Sequence, residues 1–219
     1  GDSHVSNENI MPVNCKCKYA WRVPDGRHRA CTDRETMEGS RLDFIPYPAI
    51  EKHGLIGDRR TAALVASDGT IDWLCFPAFD GRPYLGALVD TNRGGFFRLG
   101  PAIPTSGEQR YVGETAVLQT IWSERDHELV LSDVFAWPES ERGEDHEHRY
   151  AILRRLRCTR GRVRCSLACA PRPDLRDEPR TDRLDGGVAF RPGSLKLATS
   201  APLRVELSAA RADFELAEG

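Results

Sequence analysis

From Pro46 onward, short runs of alternating apolar and polar residues are separated by clusters of turn residues. That period-two pattern predicts strands rather than helices. The clearest unit is Thr61-Ala-Ala-Leu-Val-Ala-Ser-Asp-Gly-Thr-Ile-Asp-Trp-Leu-Cys-Phe76. Asp68-Gly69 is a two-residue hairpin turn, because such turns need positive φ and glycine supplies it cheaply. Folding about it pairs Ala66 with Ile71, Leu64 with Trp73 and Ala62 with Cys75, an all-apolar face expected to lie in the core. A second hairpin is expected around Arg160-Gly161, with Cys158 facing Val163, Leu156 facing Cys165, Ile152 facing Cys169 and Arg157 opposite Arg164. Further strands are expected at 95–99, 117–123, 128–135, 188–191, 195–199, 203–208 and 213–216. The one helix candidate is short, at 83–89, with Pro83 suited to a first turn. Segments 138–148 and 171–187, rich in Pro, Gly and charge, read as loops. Many short strands between turns predict an all-β protein, an antiparallel β-sandwich or barrel.

Residues 1–40 show neither period, which sets them apart as an extension, disordered or non-native, ahead of a folded unit at 41–219. Met37 lies just before the first organised segment and is a candidate natural start.

Composition narrows the function classes. A net charge of −2 gives no global field towards nucleic acid or membranes. No apolar run reaches the ~20 residues of a membrane helix, and the N-terminus lacks the apolar stretch of a signal peptide. The seven cysteines are an odd, irregularly spaced set, read as reduced thiols of a cytoplasmic protein. Cys15, Cys17, Cys31 and His28 match no common zinc spacing closely, and His146-Glu147-His148 lacks a third ligand nearby. No cofactor is expected. Gly54-Leu-Ile-Gly-Asp-Arg-Arg60 is followed by a strand, not by the helix a phosphate loop needs.

At 47–90 the sequence becomes specific. Tyr47-Pro-Ala-Ile-Glu-Lys-His-Gly-Leu-Ile-Gly-Asp-Arg-Arg-Thr-Ala-Ala-Leu-Val leads into Ser67-Asp-Gly-Thr-Ile-Asp-Trp-Leu-Cys-Phe-Pro-Ala-Phe-Asp80. This block is similar to the opening of glycoside hydrolase family 15, the glucoamylases and trehalases. Arg110-Tyr-Val-Gly-Glu-Thr-Ala-Val-Leu-Gln-Thr120 and Leu131-Ser-Asp-Val-Phe135 fit the resemblance too. It implies an N-terminal β-sandwich preceding an (α/α)6 barrel that carries both catalytic carboxylates, one acid and one base, for inverting hydrolysis of an α-glucosidic bond. The long helical hairpins of such a barrel are absent here, and the sandwich is expected to stop one strand short. The chain alone is therefore expected to be inactive, an accessory domain with no catalytic residue, its partner the missing barrel of the same polypeptide. Substrates of the whole enzyme would be α-glucosides such as maltooligosaccharide or trehalose. Ala78 stands where the family commonly has an arginine, with Arg82 displaced along the loop.

The resemblance and the loop positions make Asp72, Phe79, Asp80 and Arg82 candidates for a substrate-side rim. Alternation puts Asp72 on the face opposite Trp73, whose plainer role is core packing. Arg154, Arg155, Arg157, Arg160, Arg162 and Arg164 could bind an anion such as nucleic acid, but no aromatics interleave for base stacking. Facing Arg157 and Arg164 would repel, so a domain interface supplying acidic partners is the preferred reading, and nucleic acid and membrane are not expected partners. Two rival functions remain: a stand-alone carbohydrate-binding sandwich, and an anion-binding module using the arginine-rich hairpin.

Overall fold

In the computed structural model, residues 9–15, 43–136, 150–175, 178–191 and 195–219 are described. Strands dominate and pair antiparallel in two sheets of eight. The first sheet runs in the order β12 (Arg180–Leu184), β13 (Gly187–Arg191), β14 (Leu195–Ala198), β1 (Asn9–Cys15), β10 (Tyr150–Arg160), β9 (Glu128–Ala136), β8 (Leu118–Ser123), β7 (Glu108–Tyr111). The second runs β15 (Arg204–Val205), β16 (Ala210–Ala217), β11 (Arg162–Pro171), β6 (Gly95–Pro101), β4 (Thr70–Phe76), β3 (Ala62–Ala66), β2 (His53–Gly57), with β5 (Arg82–Leu85) also on β4. The two sheets close on one core in which Phe97, Leu99 and Ile71 meet Leu118, Leu129 and Leu131. This is the expected all-β sandwich, and the burial alternation of β9, Leu129 in and Val130 out, is the sequence pattern made physical.

Three local expectations are corrected. Strands β10 and β11 do not pair with each other: β10 lies between β9 and β1, and β11 between β16 and β6. The Arg160-Gly161 turn carries the chain from one sheet to the other, so Cys158, Leu156, Ile152, Cys165 and Cys169 meet across the core rather than along a hairpin. The helix expected at 83–89 is instead β5 followed by turns. Pro83 is accommodated because β5 is an edge strand, where a missing N–H costs little. The loop expected at 171–187 contains the 3-10 turn Pro173–Leu175 and strand β12.

Within the segment expected to stand apart, Asn9–Cys15 runs as β1 between β10 and β14. Its apolar Ile10, Met11 and Val13 suit a strand. The rest of 1–42 lies outside the described residues. So do the cysteines at 17 and 31, His28, Met37, and the loop with His146 and His148.

A strap at 43–47 covers part of the second sheet's outer face. The Phe44 ring lies 4.5 Å from that of Phe96, Ile45 N donates to Asp68 Oδ2 at 2.8 Å, and Asp43 pairs with Arg211. Gly69, at φ 82°, packs so tightly that a Cβ there would meet Leu99 O at 2.2 Å. Only glycine fits that hairpin turn.

Candidate functional site

Strands β2, β3 and β4 present an outer face that the strap leaves partly open. Registers set its side chains: Leu55 lies opposite Leu64, and Leu64 opposite Trp73. Between Leu64–Trp73 and Val65–Ile71 the register slips by one residue, so Asp72 is the extra residue of a β-bulge. A bulge turns two successive side chains towards one face. Asp72 therefore shares the outer face with Trp73, against the expectation of opposite faces. Trp73 is half-buried and lies outside the main core, which corrects its core-packing reading. The Leu64–Trp73 pairing itself is as expected.

The bulge brings Asp72 to a residue that sequence reading missed. His53 Nε2 lies 2.8 Å from Asp72 Oδ2, and both side chains are almost wholly closed to solvent. Burial raises the Asp72 pKa despite the histidine, and the hydrogen bond to Asp72 raises that of His53. Nothing in the local alternation marks His53; its only clue is a shared face with Leu55, two positions on. A closed pair can hold a proton but cannot touch a bulky substrate.

At the end of β4 the chain passes through a cis Phe76–Pro77 bond into a short loop. Phe79 is 62% exposed and Asp80 is exposed; Phe79 N donates to Arg60 O at 3.1 Å. Arg82 opens β5 and pairs with Asp174 at 2.8 Å. Of the four rim candidates, Phe79 and Asp80 face solvent, Arg82 is partly covered, and Asp72 is sealed beneath its histidine. Exposed apolar groups surround this region. Tyr47, Ile50 and Val89 join Leu55, and the Tyr47 hydroxyl bonds to Thr91.

Gly54–Arg60 contains β2 and a turn in which Asp58 Oδ1 accepts from Arg60 N and Thr61 N, both at 2.9 Å. The arginines do not make one patch. Arg154 is fully buried, Arg162 pairs with Glu215, and Arg157 Nε donates to Gly219 O. Arg157 and Arg164 are both exposed but belong to different sheets, so the expected repulsion between them across a hairpin does not arise. Among the described residues no three His, Cys, Asp or Glu side chains gather as a metal site would require, and no helix is long and apolar enough to cross a membrane.

A family model described as trehalase-like, N-terminal matches residues 45–189. A trehalase of Mycolicibacterium smegmatis is 29% identical over 197 residues, 80% of this chain and 29% of that protein. A trehalase of Mycobacterium tuberculosis is 28% identical over 58% of this chain and 20% of its own length. One from Thermoplasma volcanium is 38% identical over 44% of this chain and 16% of its own. The matched segments thus span less than a third of each relative. No solved structure matches the chain.

Proposed function

We propose, from the premise that this chain belongs to the trehalase-like N-terminal family, that it is the accessory β-sandwich of an inverting α-glucosidic-bond hydrolase. The observation that carries this reading is the alignment of the sandwich with the smaller part of proteins named trehalase. The chemistry belongs to a catalytic (α/α)6 barrel of the same polypeptide, and trehalose or a maltooligosaccharide is its substrate.

The state of the carboxylates supports an accessory role. Inversion needs an acid and a base ~6.5–9.5 Å apart with a sugar between them. The buried carboxylates described here are already engaged: Asp58 caps a turn, Asp68 binds Ile45 N and Thr70 N, Asp72 holds His53, and Asp133 holds Arg154. None is both desolvated and open to a ligand. The folded unit, in which β1 (Asn9–Cys15) joins the strands of 41–219, is then a scaffold whose interface is its functional part.

We assign the partner domain to the outer face of β2, β3 and β4 and the loop at 77–81. Apolar side chains left exposed or half-buried on one face mark an interaction site. Leu55, Leu64, Trp73, Ile50 and Val89 supply apolar area, Phe79, Asp80 and Arg82 form the substrate-side rim, and Asp72 shapes the face from beneath. Arg157 and Arg164 are secondary interface candidates, one on each sheet. A cytoplasmic location is in keeping with the buried free thiols of Cys75, Cys158, Cys165 and Cys169.

The test compares glucose release from trehalose, maltose and starch by the 219-residue chain and by a longer polypeptide containing the relatives' remaining sequence. Activity only in the longer protein is expected, and its preferred sugar decides between trehalase and glucoamylase. Glucose release by the 219-residue chain, abolished by changing one of its own carboxylates, would overturn the reading.

A further inference from the structure

His53 sits opposite Ala66 of β3, and its ring reaches across that strand to Asp72 on β4. Nε2 is 2.8 Å from Asp72 Oδ2, and Nδ1 is 3.2 Å from Ala49 O. Ala49 O can only accept, so Nδ1 must carry a hydrogen, and the Nε2–Oδ2 bond then needs one further proton, held by Nε2 as imidazolium or by the Asp72 carboxyl. The two side chains are 1% and 3% exposed, which leaves little room for water to replace either bond. The same corner is tied once more where Ser67 N donates to Lys52 O at 2.9 Å.

We propose that His53 and Asp72 form a proton-operated clamp that locks edge strand β2, with the turn Ile50–Lys52 before it, onto β4, and that loss of the proton releases this corner. The clamp itself is independent of the function proposed above. Its consequence for docking rests on that reading, because Ile50 and Leu55 of the released corner belong to the assigned interface.

Few other charges compete for the proton. Asp68 acts on Asp72 through space. Glu51 and Lys52 on the turn are exposed, and β3 carries no titratable side chain. The turn at 86–94 covers the Asp72 backbone through Leu88 N, and its Asp90 carboxylate is occupied by the N–H groups of Asn92 and Arg93. The strap brings Asp43, which is paired with Arg211, and Tyr47.

The linkage has one sign. Hydrogen bonding to Asp72 raises His53 above its ordinary 6.5, and burial raises Asp72 above 3.8. The folded form therefore binds more protons than the opened one. The histidine's contribution is complete below about pH 6.5 and is lost as pH climbs through its raised folded value. The Asp72 contribution falls in the same direction, in the acid window above 3.8.

Amide exchange at Leu55 and Ser67 in the 219-residue chain, corrected for intrinsic rates from about pH 5.5 to about pH 9, reads the clamp directly. Protection should fall with rising pH by about tenfold for each unit that the folded His53 pKa exceeds the opened one. Leu131, in the other sheet, should show no such fall, and His53→Gln should abolish it at Leu55 and Ser67. A flat wild-type profile, or an unchanged fall in the variant, would overturn the clamp. Should His53→Gln not fold, a wild-type NMR titration of the His53 ring decides: a midpoint well above about 6.5 supports the clamp, and one at or below it sinks it. All readouts use this chain alone, so a failure of the partner-domain reading leaves them unaffected.

Discussion

The Arg154 guanidinium grips the Asp133 carboxylate through two bonds, Nε to Oδ1 at 2.8 Å and Nη2 to Oδ2 at 3.1 Å, with both side chains buried between the sheets. The remaining donors cross to the second sheet, Nη1 to Phe97 O at 2.9 Å and Nη2 to Gly69 O at 2.7 Å. The guanidinium carbon also stands 4.7 Å from the centre of the Phe97 ring. A residue from an arginine-rich strand thus becomes a polar bolt between the two layers. Satisfying carbonyls as well as the carboxylate is what makes a buried charge tolerable.

Arg154→Met should destabilise the protein by about 3–5 kcal/mol, because Asp133 would be left buried without its partner. Replacing both residues, Arg154→Met with Asp133→Leu, should recover part of that loss. Urea denaturation of the three proteins checks this, and a double variant weaker than the single one would count against the buried-charge explanation.

Phe76 and Trp73 separate core from face. The Phe76 ring packs edge-on to Tyr84 and Phe135, each 6.1 Å away, and is fully buried. Phe76→Ala should cost about 3–5 kcal/mol. Trp73→Ala should cost clearly less, because half-burial leaves less contact to lose. Equal losses in thermal or urea melts would return Trp73 to the core.

The Tyr111 hydroxyl accepts from Leu55 N at 3.0 Å and donates to Leu55 O at 2.8 Å. One side chain from β7 thereby plugs the open edge of β2. Tyr111→Phe removes both bonds, each worth about 0.5–1.5 kcal/mol net, and bares a strand edge to other chains. A lower melting temperature with added self-association in sedimentation is expected. A variant as stable and monomeric as the parent would deny the plug any role.

Burial pushes the Cys165 and Cys169 thiols up to about 12, so both stay neutral far above physiological pH. Thiolate is the reactive form. Iodoacetamide at about pH 8 should spare them in the folded protein and label both in urea, as peptide mass spectrometry would read. Rapid labelling of the native protein would mean that the core is open there.

Much of this architecture was legible locally. The strands expected at 95–99, 117–123 and 128–135 appear within two residues as β6, β8 and β9, because alternation records which side chains face a core. The Leu64–Trp73 pair was also legible from the turn, whereas the pair expected nearer to it, Ala66 with Ile71, was not, because the bulge sets Ile71 opposite Val65. The exposed loop with Phe79 and Asp80 was marked by its Pro and Gly residues. His53 was not, because its partner lies two strands away and no local signal points across a sheet.

The sequence by itself determined the strand-rich class, the turn at Asp68-Gly69 and the resemblance carried by 47–90. These are properties of neighbouring residues, and a period or a turn residue acts over a few positions. Only the tertiary structure decided which strands pair. The turn at Arg160-Gly161 would close a hairpin if β10 and β11 had no better neighbours, but β9 and β1 occupy both edges of one, and β16 and β6 both edges of the other. The same competition fixes the bulge at Asp72, which turns that carboxylate towards His53, and it carries Arg154 inward while Arg155 and Arg157 stay in solvent. Backbone hydrogen bonds must be satisfied over the whole sheet at once, so partner choice is a non-local outcome that no short window of residues contains.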